Sequence, residues 1–443
     1  MKNDRMRSAW AAMATALLVL LALEIAWDRF SFLSENFKNS HFLALSAPAP
    51  APTPEALEIG EVMTGGSEAP AEDGAKAHTT RAQVRSLFSD LQQGKRSSLH
   101  IAYFADSITE GDVITEVLRR DLQHDFGGKG VGFQGMAPRD ATYKDSFIHR
   151  PSKEWVRADL HDWRKDHGIP LGINGEAYRL SPGSASARLR LEQLPSAAQP
   201  WYDRATLYWG KGDLGMDAAG AHFDLKGESD FNAFPIPLSP QARLDLSFST
   251  GPHTWLYGVR LDSPQGLGLD NFTFRGNAGD ALQDLAPAML QQCQKALGYD
   301  LVLLHFGINA LHHGETDFHW YRAMLRKSFE HFKQNLPGAK IVVVSVMDHA
   351  ERVDGEIVSD TSLPYVLAAQ QAAAKDSGLW FINLYAMMGG QGVMRSWVEA
   401  KEPLANKDYT HPNRRGGARL AKYLETALLG EKPPQFAQEP HVP

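Results

Sequence analysis

Apolar residues fall along this chain in three textures: one long run near the start, short dense runs between amphipathic segments, and a central region of alternation. The long run, Ala9–Trp27, is interrupted only late, by Glu24, and Lys2, Arg5 and Arg7 precede it. That length and charge placement predict a membrane span over 9–27 with residues 1–8 on the cytoplasmic side. A cleaved signal peptide, with a secreted product, is the alternative. It wants a shorter apolar region followed closely by small residues. Here the run ends in Trp27-Asp28-Arg29-Phe30, and the first tolerable small-residue site, Ala44-Leu45-Ser46, lies far downstream, which favours the anchor. On either reading the rest of the chain is exported. Residues 28–80, containing APAPAPTPEA, predict a semi-extended Pro/Ala-rich linker with no core of its own.

The dense runs are Leu99–Phe104, LVLLHFG, IVVVSVM and LWFINLY. Helical periodicity accompanies them over Arg81–Leu91, through Val113, Val117, Leu118 and Leu122, and over Tyr321–Asn335, Tyr365–Asp376 and Arg415–Leu428. Strands alternating with helices predict an α/β domain, a parallel sheet covered on both faces, built from 81–151 and 268–430. Between them, over 152–267, short alternating segments such as ARLRLEQL, RATLYWG, AHFDLKG, ARLDLSFST and TWLYGVRLD are separated by Gly, Pro and Asp. This is antiparallel patterning, and it predicts an inserted β-sandwich. Residues 431–443 form a tail.

Composition changes the picture little. With 443 residues, 43% apolar and 22% charged, the chain is ordinary globular material for about two domains. A net charge of −7 with no dense Lys/Arg stripe excludes nucleic acid as an expected partner. The single cysteine, Cys293, forbids an intrachain disulfide and lies in a helical stretch as a buried structural thiol. His305, His312, His313 and His319 lack the spacing of a zinc site, so neither metal nor cofactor is expected.

Candidate chemistry sits in four segments spread over more than three hundred residues: YFADSITEG around Ser107, FRGNAG around Gly276, HFGINAL around Asn309, and KDYTHPN with Asp408 and His411. Ser107 follows an apolar strand and opens a helical segment, where an N-cap role is the ordinary alternative to a nucleophile. Asp408 and His411 are three apart in a turn, where the carboxylate either caps the turn or holds the imidazole tautomer. Asn309 and Gly276 supply a carboxamide and a backbone N–H, or simply a cap and a turn.

Taken together, in this order, the four segments resemble the blocks of the SGNH (GDSL-type) hydrolases. The resemblance implies Ser107 as nucleophile, His411 as base, Asp408 as its partner, and Ser107, Gly276 and Asn309 as oxyanion donors. One departure is visible: the family's Gly-Asp-Ser is Ala105-Asp106-Ser107, which is harmless unless that position needs positive φ. The position of the insertion is similar to that in the peptidoglycan O-acetylesterase branch, where a carbohydrate-binding-like β-domain interrupts the catalytic one. Trp155, Trp163, Trp201, Trp209 and Trp255 lie in it and suit either sugar stacking or a core.

The expected protein is a serine esterase that removes O-acetyl groups from a cell-wall polysaccharide. It sits in the inner membrane by a single pass, with its catalytic part in the periplasm or outside the cell. A polysaccharide O-acetyltransferase on the same fold is the alternative, and a non-catalytic glycan-binding envelope protein a second. The partners implied are an acetylated glycan and, through the N-terminal helix, the membrane.

Overall fold

The structure, a computed structural model, describes residues 79–144, 146–194, 201–238, 243–251 and 253–430. The expected cytoplasmic segment, span, tail and nearly all of the linker lie outside the described residues. Among the described residues no helix is long and apolar enough to cross a membrane.

Five parallel strands form the central sheet, in the order Gly266–Thr273, Ser98–Ala105, Leu301–His305, Lys340–Val344, Trp380–Ile382. Both of its faces are buried, and alternate residues divide between them. Ile101, Tyr103, Leu301 and Leu303 point to one apolar cluster, while Ala102, Phe104, Val302 and Leu304 point to the other. Helices Arg81–Gln92, Thr115–Phe126 and Arg414–Leu429 cover the first face; Pro287–Leu297, His319–Asn335 and Leu363–Asp376 cover the second. This two-sided burial explains why the strands are near-continuous apolar runs rather than alternating ones.

Register places the site. Ala105 is opposite Thr273 on one side and His305 on the other, and His305 is opposite Val344. The carboxyl ends of four strands are therefore flush. The first strand in the chain connects to the second on one side, while its other neighbour, the third strand, connects onward in the opposite direction. That is the crevice where ligands bind in open α/β sheets.

Two antiparallel sheets make up the rest. One runs Asn232–Pro235, Arg204–Trp209, Leu256–Asp262, Glu176–Leu180, Trp155–Asp159, with Gly132–Gln134 also paired to Leu256–Asp262. The other runs Phe147–Pro151, Ala187–Gln193, Arg243–Thr250, Leu214–Ala218, Ala221–Leu225. Their inward residues share one apolar cluster, with Trp155 against Phe248 at a centroid distance of 5.7 Å. The antiparallel region starts earlier than residue 152, because Gly132–Gln134 and Phe147–Pro151 already belong to it. Each of these strands is too short to show a period. Trp155, Trp201 and Trp209 are buried in this core and present no face to a sugar; Trp163 and Trp255 are half-buried.

These layers are not walled off from the α/β part. Phe133, Ile173, Tyr208, Phe231 and Tyr257 pack in the same cluster as Phe272, Tyr299 and Phe104. Arg260, with a side chain only 3% exposed, lies 3.2 Å from Asp270 on the parallel sheet and 3.3 Å from Asp262. Tyr299 Oη donates to Asp270 Oδ2 at 2.6 Å. The described residues all fall in one compact unit. A small hairpin, Ala350–Val353 with Glu356–Ser359, follows the fourth parallel strand without any periodic signal in the sequence.

Candidate active site

Strand Ser98–Ala105 ends at a fully buried alanine whose φ is not positive, so the Ala105 departure fits ordinary strand backbone. Asp106 then caps a short 3-10 turn, Ser107–Asp112, its Oδ1 accepting from Ile108 N–H at 3.1 Å. Ser107 itself is not the cap, which leaves its hydroxyl for other partners. The turn is sharply bent, with left-handed Gly111 and Asp112 at φ 68° and 62°. For the non-glycine Asp112 that conformation costs free energy, and a buried network holds it. Asp112 accepts from Thr115 Oγ1 at 2.8 Å and Asn271 Nδ2 at 2.9 Å, and lies near Lys144 and Arg119. Burial would raise its carboxyl pKa, but those two cations and the hydrogen bonds hold it well below the usual range.

Three residues beyond Thr273, Gly276 turns the chain at φ 71°, a left-handed backbone that a Cβ would strain. Next to it, Asn277 organises the loop. Its Oδ1 accepts from Gly279 N–H (2.7 Å) and Ala281 N–H (3.1 Å), and its carbonyl accepts from Asn309 Nδ2 at 3.1 Å. The segments carrying Gly276 and Asn309 are thus tied together. Arg275 pairs with Glu110, joining the Gly276 loop to the Ser107 turn. The N–H groups of Ser107 and Gly276 donate to no other group among the described residues.

The fourth segment closes the set. Asp408 Oδ1 accepts from the N–H groups of Thr410 and His411, both at 3.0 Å, and Asp408 Oδ2 lies 2.9 Å from His411 Nδ1. Capping the turn and holding the imidazole are therefore both done by one carboxylate. Burial tends to raise the Asp408 pKa, but the hydrogen bonds from His411 bring it below the usual carboxylate range. An ionised Asp408 accepts from Nδ1–H, which turns the Nε2 lone pair outward. Nε2 lies 2.8 Å from Ser107 Oγ. Between Asp408 and His411, Tyr409 is left-handed at φ 56°, a further local strain.

Arg414, three residues after His411, donates to the carbonyls of Gly111 and Tyr143, bracing the final helix against the Ser107 turn. Behind the site, burial lowers the pKa of His305 to about 3, so its ring is neutral beside Tyr103 Oη, 2.7 Å away. A cavity of about 300 Å3 opens beside Gly276 and Asn277. Its far wall, including Arg157, His161 and Glu176, comes from the antiparallel layers. Hence Ser107, Gly276, Asn309, Asp408 and His411 all lie at one end of the parallel sheet, and Ser107, His411 and Asp408 form a continuous hydrogen-bonded chain. Sequence reasoning missed the roles of Asn277, Arg275 and Arg414. The first two stand beside Gly276 within FRGNAG, but nothing in composition marks a bracing residue.

Residues 249–419 match the GDSL-like Lipase/Acylhydrolase family, so this part of the chain resembles an SGNH-type ester hydrolase. The matched stretch holds Gly276, Asn309, Asp408 and His411; Ser107 lies before it, on the other side of the antiparallel layers. In fold the chain resembles a peptidoglycan O-acetylesterase. That solved structure is 18% identical, covering 80% of this chain and 97% of its own, with a TM-score of 0.65. A family two carbohydrate esterase from Clostridium thermocellum, solved with cellohexaose, is 9% identical over 55% of this chain and 91% of its own, at a TM-score of 0.27. A salicylyl-acyltransferase from a tetracycline biosynthetic pathway is 14% identical over 68% and 99%, at 0.28. No curated protein matches the sequence.

Proposed function

We propose that this protein is an SGNH-type serine esterase that removes O-acetyl groups from a cell-wall polysaccharide, with peptidoglycan favoured. The observation that carries the reading is the run Ser107 Oγ, His411 Nε2, His411 Nδ1, Asp408 Oδ2, with contacts of 2.8 and 2.9 Å. Ser107 Oγ attacks the acetyl carbonyl carbon while His411 Nε2 takes its proton, and Asp408 stabilises the imidazolium. The carbonyl oxygen becomes an oxyanion held by the Ser107 N–H, the Gly276 N–H and the Asn309 carboxamide, each donor contributing about 3 kcal/mol in the transition state. His411 returns the proton to the leaving sugar oxygen. Water, deprotonated in turn by His411, then releases acetate from Ser107.

The polymer half of the reading is supported by the cavity beside Gly276, whose walls come from both parts of the molecule. We take the antiparallel layers to be a carbohydrate-binding-like element that guides the glycan, and the exported, membrane-anchored setting to follow from the Ala9–Trp27 run. An O-acetyltransferase differs only in the acceptor, a sugar hydroxyl in place of water. A non-catalytic glycan binder is disfavoured because no member of the Ser107–His411–Asp408 chain has been lost.

The test is acetate release from O-acetylated peptidoglycan and from a small acetyl ester. Ser107→Ala and His411→Ala should each abolish both, and Asp408→Asn should cost as much or less, since such groups act as a unit. A Ser107→Ala protein of near wild-type rate would place the nucleophile elsewhere. Acetyl appearing on an added oligosaccharide rather than in free acetate would favour the transferase.

A further inference from the structure

We propose a second site, for a divalent transition-metal ion such as zinc, formed by His313, His349, Glu351 and Asp360. It goes beyond the esterase reading and does not depend on it. His349 immediately precedes the hairpin strand Ala350–Val353, and Glu351 is the second residue of that strand. Asp360 follows the partner strand, and its N–H bonds back to the carbonyl of His349 at 3.1 Å. His313 comes from the loop that follows Asn309. One ligand atom each from His313, Glu351 and Asp360 lie within 4.8 Å of one another, and His349 Nδ1 is 3.7 Å from Asp360 Oδ2.

Two imidazoles and two carboxylates are a donor set for zinc, whose bonds of about 2.0–2.2 Å put neighbouring ligands about 3.4 Å apart in a tetrahedron. His313, Glu351 and Asp360 would reach that spacing by small side-chain rotations, with His349 joining from beside Asp360. Hydrogen bonding argues that the groups face a common point rather than each other. His313 Nδ1 is only 2.8 Å from Glu351 Oε1, yet that buried oxygen makes no hydrogen bond, and neither does the buried Nδ1 of His349. A close pair whose N–H is not aimed at the oxygen is what two ligands of one ion look like. An ordinary His–Glu ion pair would align.

The place gives the ion a role. Ala350 N–H donates to the carbonyl of Tyr409, between Asp408 and His411, at 3.2 Å. Asp360 Oδ1 accepts from Ser362 Oγ at 2.6 Å, and Ser362 Oγ accepts from His312 N–H at 3.0 Å. An ion here would clamp the loop after Asn309 to the hairpin that supports the His411 turn. His313 and Glu351 side chains are about one-third exposed, so the ion can enter from solvent.

The test uses the full chain, stripped with chelator and titrated with zinc chloride by calorimetry, with cobalt(II) absorption as the coordination readout. One ion should bind with micromolar affinity or better, cobalt should give visible bands of low-coordinate geometry, and zinc should raise the melting temperature. His313→Ala and Glu351→Gln, both at side chains about one-third exposed, should each weaken binding at least tenfold while the metal-free protein melts as wild type does. Absence of stoichiometric binding would overturn the proposal, and so would binding undiminished in both variants.

Discussion

Asp106, one residue before Ser107, is fully buried, and burial raises its pKa from 3.8 to about 7, partly offset by the hydrogen bond from Ile108 N–H. Between about pH 4 and 7 the folded protein therefore holds a proton that the unfolded chain has released. Stability contributed by this group falls as pH rises through that window and levels off above it. Asp106→Asn keeps the acceptor for Ile108 N–H and removes the titration. Urea unfolding should show the variant gaining on the wild type between pH 4.5 and 8. An equal difference at the two pH values would mean that Asp106 is ionised throughout.

Among the elements, the final helix Arg414–Leu429 does most to set the site, because it begins directly after His411 and rests on the Ser107 turn. Asn413 caps it, accepting from Arg415 N–H at 2.9 Å and Gly416 N–H at 3.1 Å. Gly417 permits the close approach: a Cβ there would fall 1.9 Å from the carbonyl oxygen of Val113, which is backbone and cannot step aside. Gly417→Ala should cost about 1–3 kcal/mol by overpacking. It should also slow small-ester hydrolysis by displacing His411 from Ser107. Chemical denaturation together with initial rates checks both, and wild-type values in both would refute the account. Phe104 makes a second element-scale case. It is buried against Phe272 at 4.9 Å and Phe332 at 5.0 Å, so Phe104→Ala should lose about 3–5 kcal/mol.

For the whole molecule, the shared core makes the antiparallel layers a structural support for the α/β part. Removing residues 132–262 would strip Phe133, Tyr208 and Tyr257 from Phe272 and Tyr299, and leave Asp270 without Arg260. A buried carboxylate deprived of its partner is strongly destabilising, by about 3–5 kcal/mol. Such an excised protein should fail to fold, as circular dichroism and thermal melting would report. A cooperative melt with retained ester hydrolysis would show that the two parts are separable. Point substitutions on the cavity wall therefore serve better than deletion for separating polymer binding from chemistry. Arg164→Ala, at a half-exposed residue paired with Asp280 and Asp284, should lower turnover of acetylated glycan more than that of a small ester.

Much of this was legible in the chain because the information was local. Dense apolar runs such as LVLLHFG and IVVVSVM become strands buried on both faces, and alternating segments such as ARLDLSFST become strands buried on one. The four blocks name Ser107, Gly276, Asn309, Asp408 and His411 through side-chain chemistry and turn residues that need no distant partner to be recognised. What the sequence could not supply is contact across hundreds of positions. The flush register of Ala105, Thr273 and His305 brings those blocks to one sheet end. The joint core of Phe133 with Phe272 ties the antiparallel layers down, and the approach of His313 to Glu351 depends on where a loop meets the hairpin. Gly132–Gln134 and the Ala350–Val353 hairpin left no trace because three or four residues span too little of a period to be read. Local preference is written in adjacent residues; juxtaposition is decided only when burial of the whole core selects one packing.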